Sequence, residues 1–100
     1  MAKPYYADYV NHILRFYFRY NPTRGFKNEV DKTNYLAADK VIQRMTDPER
    51  EVLACVFKQD GINLSENITI AAAQYGEDTA RLWSMVSTTT TKIAKERSLV

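Results

Sequence analysis

Cysteine is nearly missing from this 100-residue sequence: Cys55 stands alone, which excludes an intramolecular disulfide and a cysteine zinc cluster. Its place in the apolar run Val52 to Phe57 marks a buried structural thiol rather than a nucleophile, and fits a reducing compartment. Histidine is equally scarce. His12, between Val10 and Ile13, has no second His to join it, so no metal site is expected and no cofactor with it. With three Gly and three Pro there is little material for long loops. The sequence holds no glycine-rich phosphate loop, no paired carboxylates on an apolar helix face, and no set of nucleophile, base and orienter, so an enzyme is not expected. Long hydrophobic runs are missing too. Asp8, Asn11, His12, Arg15 and Arg19 interrupt every window in which an export signal or membrane span could begin, and the chain is expected to be cytoplasmic with no membrane partner.

What is present is aromatic. Seven Tyr, four Phe and one Trp supply enough large apolar surface for one core, and the length suits a single domain over residues 1–100. The net charge of +2 is too small to argue for a polyanion by itself, but it is unevenly spread. Residues 1–27 carry a net +4, residues 28–64 a net −2, and residues 65–100 balance to zero. The basic end is therefore N-terminal.

Taken in order, a short Met1-Ala2-Lys3 arm leads to Pro4, which suits the first turn of a helix. Tyr6, Tyr9, Val10, Ile13, Leu14, Tyr17 and Tyr20 then recur at three- and four-residue spacing, predicting a helix from about Pro4 to Tyr20. Its apolar stripe is wide, because Tyr5, Phe16 and Phe18 lie off the main face. Either other helices wrap it on most sides, or these aromatics form a partner surface with Arg15 and Arg19 beside them. The cluster Asn21-Pro22-Thr23-Arg24-Gly25 ends this helix. A second helix, capped by Asn28 or Thr33, runs to Met45 with Val30, Tyr35, Ala38, Val41, Ile42 and Met45 inward. A third starts at Thr46-Asp47-Pro48-Glu49, with Thr46 or Asp47 as cap, and buries Val52, Leu53, Val56 and Phe57 up to Lys58-Gln59-Asp60-Gly61. Ile62 to Ser65 leads to a fourth helix capped by Asn63 or Ser65.

That fourth helix ends in Ala71-Ala72-Ala73-Gln74-Tyr75-Gly76, and Glu77-Asp78-Thr79 restarts the chain as a fifth. Small residues before a glycine, and an acid and hydroxyl cap after it, predict two closely packed helices joined by a very short turn, with Leu82 and Val86 folding back on the first. The hydroxyl run Ser87 to Thr91 has poor helix propensity, yet Leu82, Val86, Thr89 or Thr90 and Ile93 keep the period. One continuous helix to about Glu96 is therefore expected, with Ser98 to Val100 fraying or folding back. The fold class expected is all-α: about five helices in one small bundle, aromatic-rich over residues 1–45, with a C-terminal helix-turn-helix within residues 46–100.

From Thr46 onward the order of features resembles region 4 of bacterial sigma-70 family factors. The resemblance rests on Pro48-Glu49-Arg50-Glu51-Val52-Leu53, then Gly61 and Ser65, then Ala72 to Gly76, with Leu82 and Val86 beyond, and it covers about half the chain. In size and in their helical N-terminal portion, small sigma-like regulators of phages and of integrated conjugative elements of Gram-positive bacteria are similar, which implies a mobile genetic element as source. The resemblance implies a DNA-binding transcription regulator that places the helix from about Asp78 to Ile93 in the major groove of double-stranded DNA. Arg81 would then read guanine, Thr79, Ser84, Ser87 and Thr88 would donate to phosphates, and Lys92 and Lys95 would add charge. The alternative for Arg81 is a surface pair with Glu77 or Asp78. Trp83 either packs against the N-terminal helix or stays exposed for a partner or a base.

Because the fifth helix has Arg81 as its only cation before Lys92, a second expectation stands beside DNA binding. It is a non-catalytic interaction module that docks through Arg15, Phe16, Phe18, Arg19 and Trp83, onto RNA polymerase, another protein or a second copy as a homodimer.

Overall fold

Most helices of this chain begin where a side chain can satisfy their first free N–H groups. The computed structural model describes residues 4–60 and 63–99, which form α1 (Ala7–Phe18), α2 (Glu29–Ile42), α3 (Asp47–Lys58), α4 (Leu64–Tyr75) and α5 (Thr79–Glu96), with no strand among them. Asn28 accepts from Asp31 N–H at 2.9 Å, and Asn63 from Glu66 N–H at 2.9 Å. The α3 cap is Thr46, not Asp47: Thr46 Oγ1 accepts from Glu49 N–H at 3.3 Å while the Glu49 carboxylate accepts from Thr46 N–H at 3.0 Å, a reciprocal capping box. Only α1 lacks a side-chain cap. It also differs most from expectation, being shorter at both ends. Pro4 to Tyr6 form a turn closed by Ala7 N–H to Pro4 O at 3.0 Å, and the chain leaves the helix at Arg19 so that the Tyr20 ring can stack on Phe26, 4.9 Å between centroids.

All five helices contribute to one core, which includes Val10, Ile13, Leu14, Ala38, Ile42, Leu53, Val56, Phe57, Ile68, Ala71, Leu82, Val86, Ile93 and Ala94. Val30, expected inside, is 55% exposed; the buried position on that side of α2 is Asn34, at 7%. Asn34 is satisfied on both sides of its amide. It donates from Nδ2 to Tyr9 OH at 3.0 Å and accepts at Oδ1 from Arg97 Nε at 2.6 Å, so one polar side chain ties the start of α1 to the end of α5.

The threonine run stays helical because its hydroxyls are absorbed locally. Thr89 donates to Met85 O at 2.8 Å, Thr90 to Ser87 O at 2.9 Å and Thr91 to Ser87 O at 3.0 Å, while Thr89 and Thr90 are themselves buried. After α5 the chain folds back: Ser98 turns left-handed, and Leu99 N–H reaches Ala94 O at 2.8 Å with its side chain against the core. The arm Met1 to Lys3, the Gly61-Ile62 part of the α3 to α4 connection and Val100 lie outside the described residues.

Helices α4 and α5 are joined by Gly76, Glu77 and Asp78 alone. Gly76 sits at φ 63°, where a side chain would be strained, and Glu77 N–H closes on Ala72 O at 2.9 Å across it. Asp78 then caps α5, accepting from Ala80 N–H at 2.9 Å. Ala71 and Ala72 are buried on one side of the turn and Leu82 and Val86 on the other. Among the described residues, no helix is long and apolar enough to cross a membrane.

Candidate functional site

The buried positions of α5 (Leu82, Val86, Thr89, Thr90, Ile93 and Ala94) commit one side of the helix to the core. Geometry then decides what the other side shows. Arg81, Ser84, Thr88, Lys92 and Lys95 are all exposed and follow one another at three- and four-residue spacing, so they form a single stripe about 21 Å long at 1.5 Å per residue. Thr79 and Ser87 are exposed as well but lie off this stripe. Trp83, far around the helix from the stripe, is 42% exposed.

Arg81 is not unpaired: its guanidinium lies 3.5 Å from Glu77 one turn earlier, with the Arg81 side chain 78% exposed. A contact of that length in water contributes little and is easily exchanged. Lys92 and Lys95 have no ion pair among the described residues. The neighbouring cations are engaged elsewhere, Lys40 with Glu96 at 3.2 Å and Arg97 with Asn34.

Along the flank of this stripe runs a groove of about 480 Å³ that sequence periodicity does not reveal. Its apolar lining is Val41 of α2, Met45 from the connection after it, Val52 from α3, and Leu82 and Met85 from α5. Arg81, Ser84, Thr88 and Lys92 form one wall, Pro48 and Glu49 the other, and Glu77 closes one end. The only hint in the sequence is that Met85 falls one position beside the Leu82 and Val86 face, leaving a large apolar side chain half-buried. The Glu49 carboxyl is held below its ordinary value chiefly by the Thr46 backbone N–H, then by the Thr46 hydroxyl, with Lys92 and Arg81 helping from across the groove.

Of the N-terminal residues expected on a partner surface, Phe16 and Phe18 are half-buried against other rings, and Arg15 and Arg19 are exposed. Phe16 meets Tyr20, Phe26 and Tyr35 at ring-centroid distances of 6.0, 6.4 and 6.5 Å, and Phe18 stacks on Phe57 of α3 at 6.3 Å. Arg19 reaches the C-terminal end of α3, donating to Phe57 O, Lys58 O and Gln59 O at 3.1 to 3.3 Å and pairing with Asp60 at 3.1 Å. A cation there satisfies free carbonyls and the negative helix end. Arg15 is separated from it in role, lining a different depression of about 210 Å³ with Asp8, Asn11, His12, Phe57 and Leu64. Arg15 and the α5 stripe therefore border different cavities.

No grouping of His, Cys, Asp and Glu able to hold a metal ion is found among the described residues. The shifted phenols have structural causes: Tyr17 is pushed up by burial and then by its 2.7 Å hydrogen bond to Asp39, and Tyr35 by burial. Tyr75 is raised by desolvation and by Glu51. Compared with protein families, curated proteins and solved structures, the chain matches none.

Proposed function

We propose that this chain is a DNA-binding transcription regulator of the sigma-like helix-turn-helix kind, with α4 and α5 as the two helices and α5 in the major groove. The observation that carries the reading is the α5 stripe. A three-residue turn with a left-handed glycine leads into an 18-residue helix on one solvent face of which Arg81, Ser84, Thr88, Lys92 and Lys95 lie together. Such a face offers a guanidinium for guanine O6 and N7, hydroxyls for phosphate oxygens, and ammonium groups for counterion release. Thr79 and Ser87 are left as peripheral donors. The reading that docks the protein through Arg15, Phe16, Phe18, Arg19 and Trp83, on RNA polymerase or another partner, has weaker support, since Phe16, Phe18 and Arg19 already contact α2 or α3 and Trp83 is far from them in sequence, in α5.

Fluorescence anisotropy with a mixed-sequence duplex, at low and moderate salt, tests the proposal. Binding should weaken as salt rises, with a slope near 0.9 per cation engaged. Removing Lys92 and Lys95 together should lower that slope by about 2. Absence of binding at both salts, or a slope indifferent to these lysines, removes α5 as the DNA-reading element.

A further inference from the structure

An acid stands against the one cation at the start of α5, and the two together offer a base pair more than a guanidinium does alone. We propose that Arg81 and Glu77 act as one unit that reads a G·C pair, Arg81 donating to guanine and Glu77 accepting from the N4 amino group of the cytosine opposite. The inference rests on the DNA-binding function proposed above. It gives Glu77, a negative charge beside a polyanion, a part in choosing the sequence.

Both residues lie where a recognition helix meets base edges, at its N-terminal end. Glu77 belongs to the turn that joins α4 to α5, and Arg81 follows four positions later in the first turn of α5. Their backbones are fixed. Glu77 N–H is held by Ala72 O at 2.9 Å and Arg81 N–H by Asp78 O at 3.1 Å. Arg81 Nη1 lies 3.5 Å from Glu77 Oε2, with the side chains 78% and 34% exposed. Neither side chain has another hydrogen bond or ion pair among the described residues, so the guanidinium keeps donors free and the carboxylate keeps an acceptor free.

The order of these groups matches one base pair. In the major groove guanine presents N7 and O6 as acceptors, and its cytosine presents the N4 donor next to O6. Arg81 and Glu77 present N–H donors followed by an acceptor. An A·T pair instead places its N6 donor between two acceptors, which sets one donor against the guanidinium. Spacing agrees with this assignment. O6 and N4 are hydrogen-bonded to each other and so stand about 2.9 Å apart, against 3.5 Å between Nη1 and Oε2. In water the Arg81–Glu77 pair is weak, but entry of α5 into the groove displaces water and strengthens it. The acid lowers affinity for every phosphate backbone alike, and repays this on one base pair only, which is a gain in specificity.

Fluorescence anisotropy tests the unit with two duplexes, one selected from a random-sequence pool by binding to the native chain and one of mixed sequence. Glu77→Ala should bind the selected duplex about tenfold more weakly and the mixed one more tightly, with circular dichroism confirming the fold. Glu77→Gln, which keeps an acceptor, should recover part of the loss. N4-methylcytosine preserves pairing but fills the major-groove donor position. Placed at each cytosine of the selected duplex in turn, it should weaken native binding about tenfold at one position and leave Glu77→Ala indifferent there. 7-Deazaguanine in that same pair should weaken native binding and leave Arg81→Ala indifferent. Equal binding of the selected duplex by Glu77→Ala, or no cytosine position whose methylation the native chain senses, overturns the paired reading and leaves α5 as the DNA-reading element. Recovery of no bound duplex from the pool removes the DNA reading, and the role of Glu77 with it.

Discussion

Two regions of this bundle carry side chains in excess of what a single buried stripe needs, and they dispose of them in opposite ways. At the C-terminal end of α1 the surplus is aromatic and finds neighbours, although Tyr5 and Tyr9 at its start stay exposed: Phe16 joins Tyr20, Phe26 and Tyr35, Phe18 lies on Phe57, and Arg19 closes the end of α3. In α5 the surplus is polar and cationic and stays outside, beside a groove where the α2 and α3 corner stops short of covering the helix. A ring off the main stripe gains by finding any apolar neighbour, whereas a lysine or hydroxyl loses its hydration if covered without a partner. The N-terminal region thus spends part of its excess on packing, and α5 leaves its excess in solvent.

The contrast can be broken by substitution. Phe57→Ala, which removes the ring under Phe18, should cost about 3–5 kcal/mol in urea unfolding while leaving the duplex affinity of the folded fraction unchanged. Arg81→Ala should do the reverse, losing about 1–3 kcal/mol of affinity for a specific duplex with a stability change within about 0.5 kcal/mol. If Arg81 instead proves to matter for folding, the division between the regions is wrong. Gly76→Ala probes the junction. A Cβ there meets nothing within 4 Å, so the expected loss of about 1–2 kcal/mol in thermal unfolding reflects only the left-handed backbone. Arg19→Ala should cost about 1 kcal/mol of stability, from the uncapped carbonyls of α3, and should not alter capture of RNA polymerase or of a labelled duplex.

The smallest effect expected is on pH. Because the Glu49 carboxyl is lowered from an ordinary value of 4.5, its contribution is present above about that pH and is lost as pH falls through the lower folded value. Melting temperature followed down through this range should drop for the native chain, and the part due to the capping box should be missing in Thr46→Ala.

Much of this architecture is legible in the residues themselves. The five helices, the cap at the start of α3, the left-handed turn at Gly76 and the unbroken α5 all follow from local rules, because a cap, a glycine or a helical period acts over three or four residues. Misreadings occur where distant segments meet. Val30 has the right spacing for the core but stays 55% exposed, while Asn34 is buried because Tyr9 and Arg97, 25 and 63 residues away, satisfy its amide. Likewise Arg19 reads as half of a basic stripe with Arg15 until the end of α3 arrives beside it.

For the candidate site the division is the same. Periodicity alone puts Arg81, Ser84, Thr88, Lys92 and Lys95 on one face of one helix, since 3.6 residues per turn is a property of the backbone. Which way that face points, that Glu77 stands against Arg81, and that Val41, Met45 and Val52 build a groove along it were decided only by tertiary packing. The reason is physical: helix type follows from interactions within a turn, but a surface is made of side chains from elements far apart in the chain, and only the closed core sets their distances.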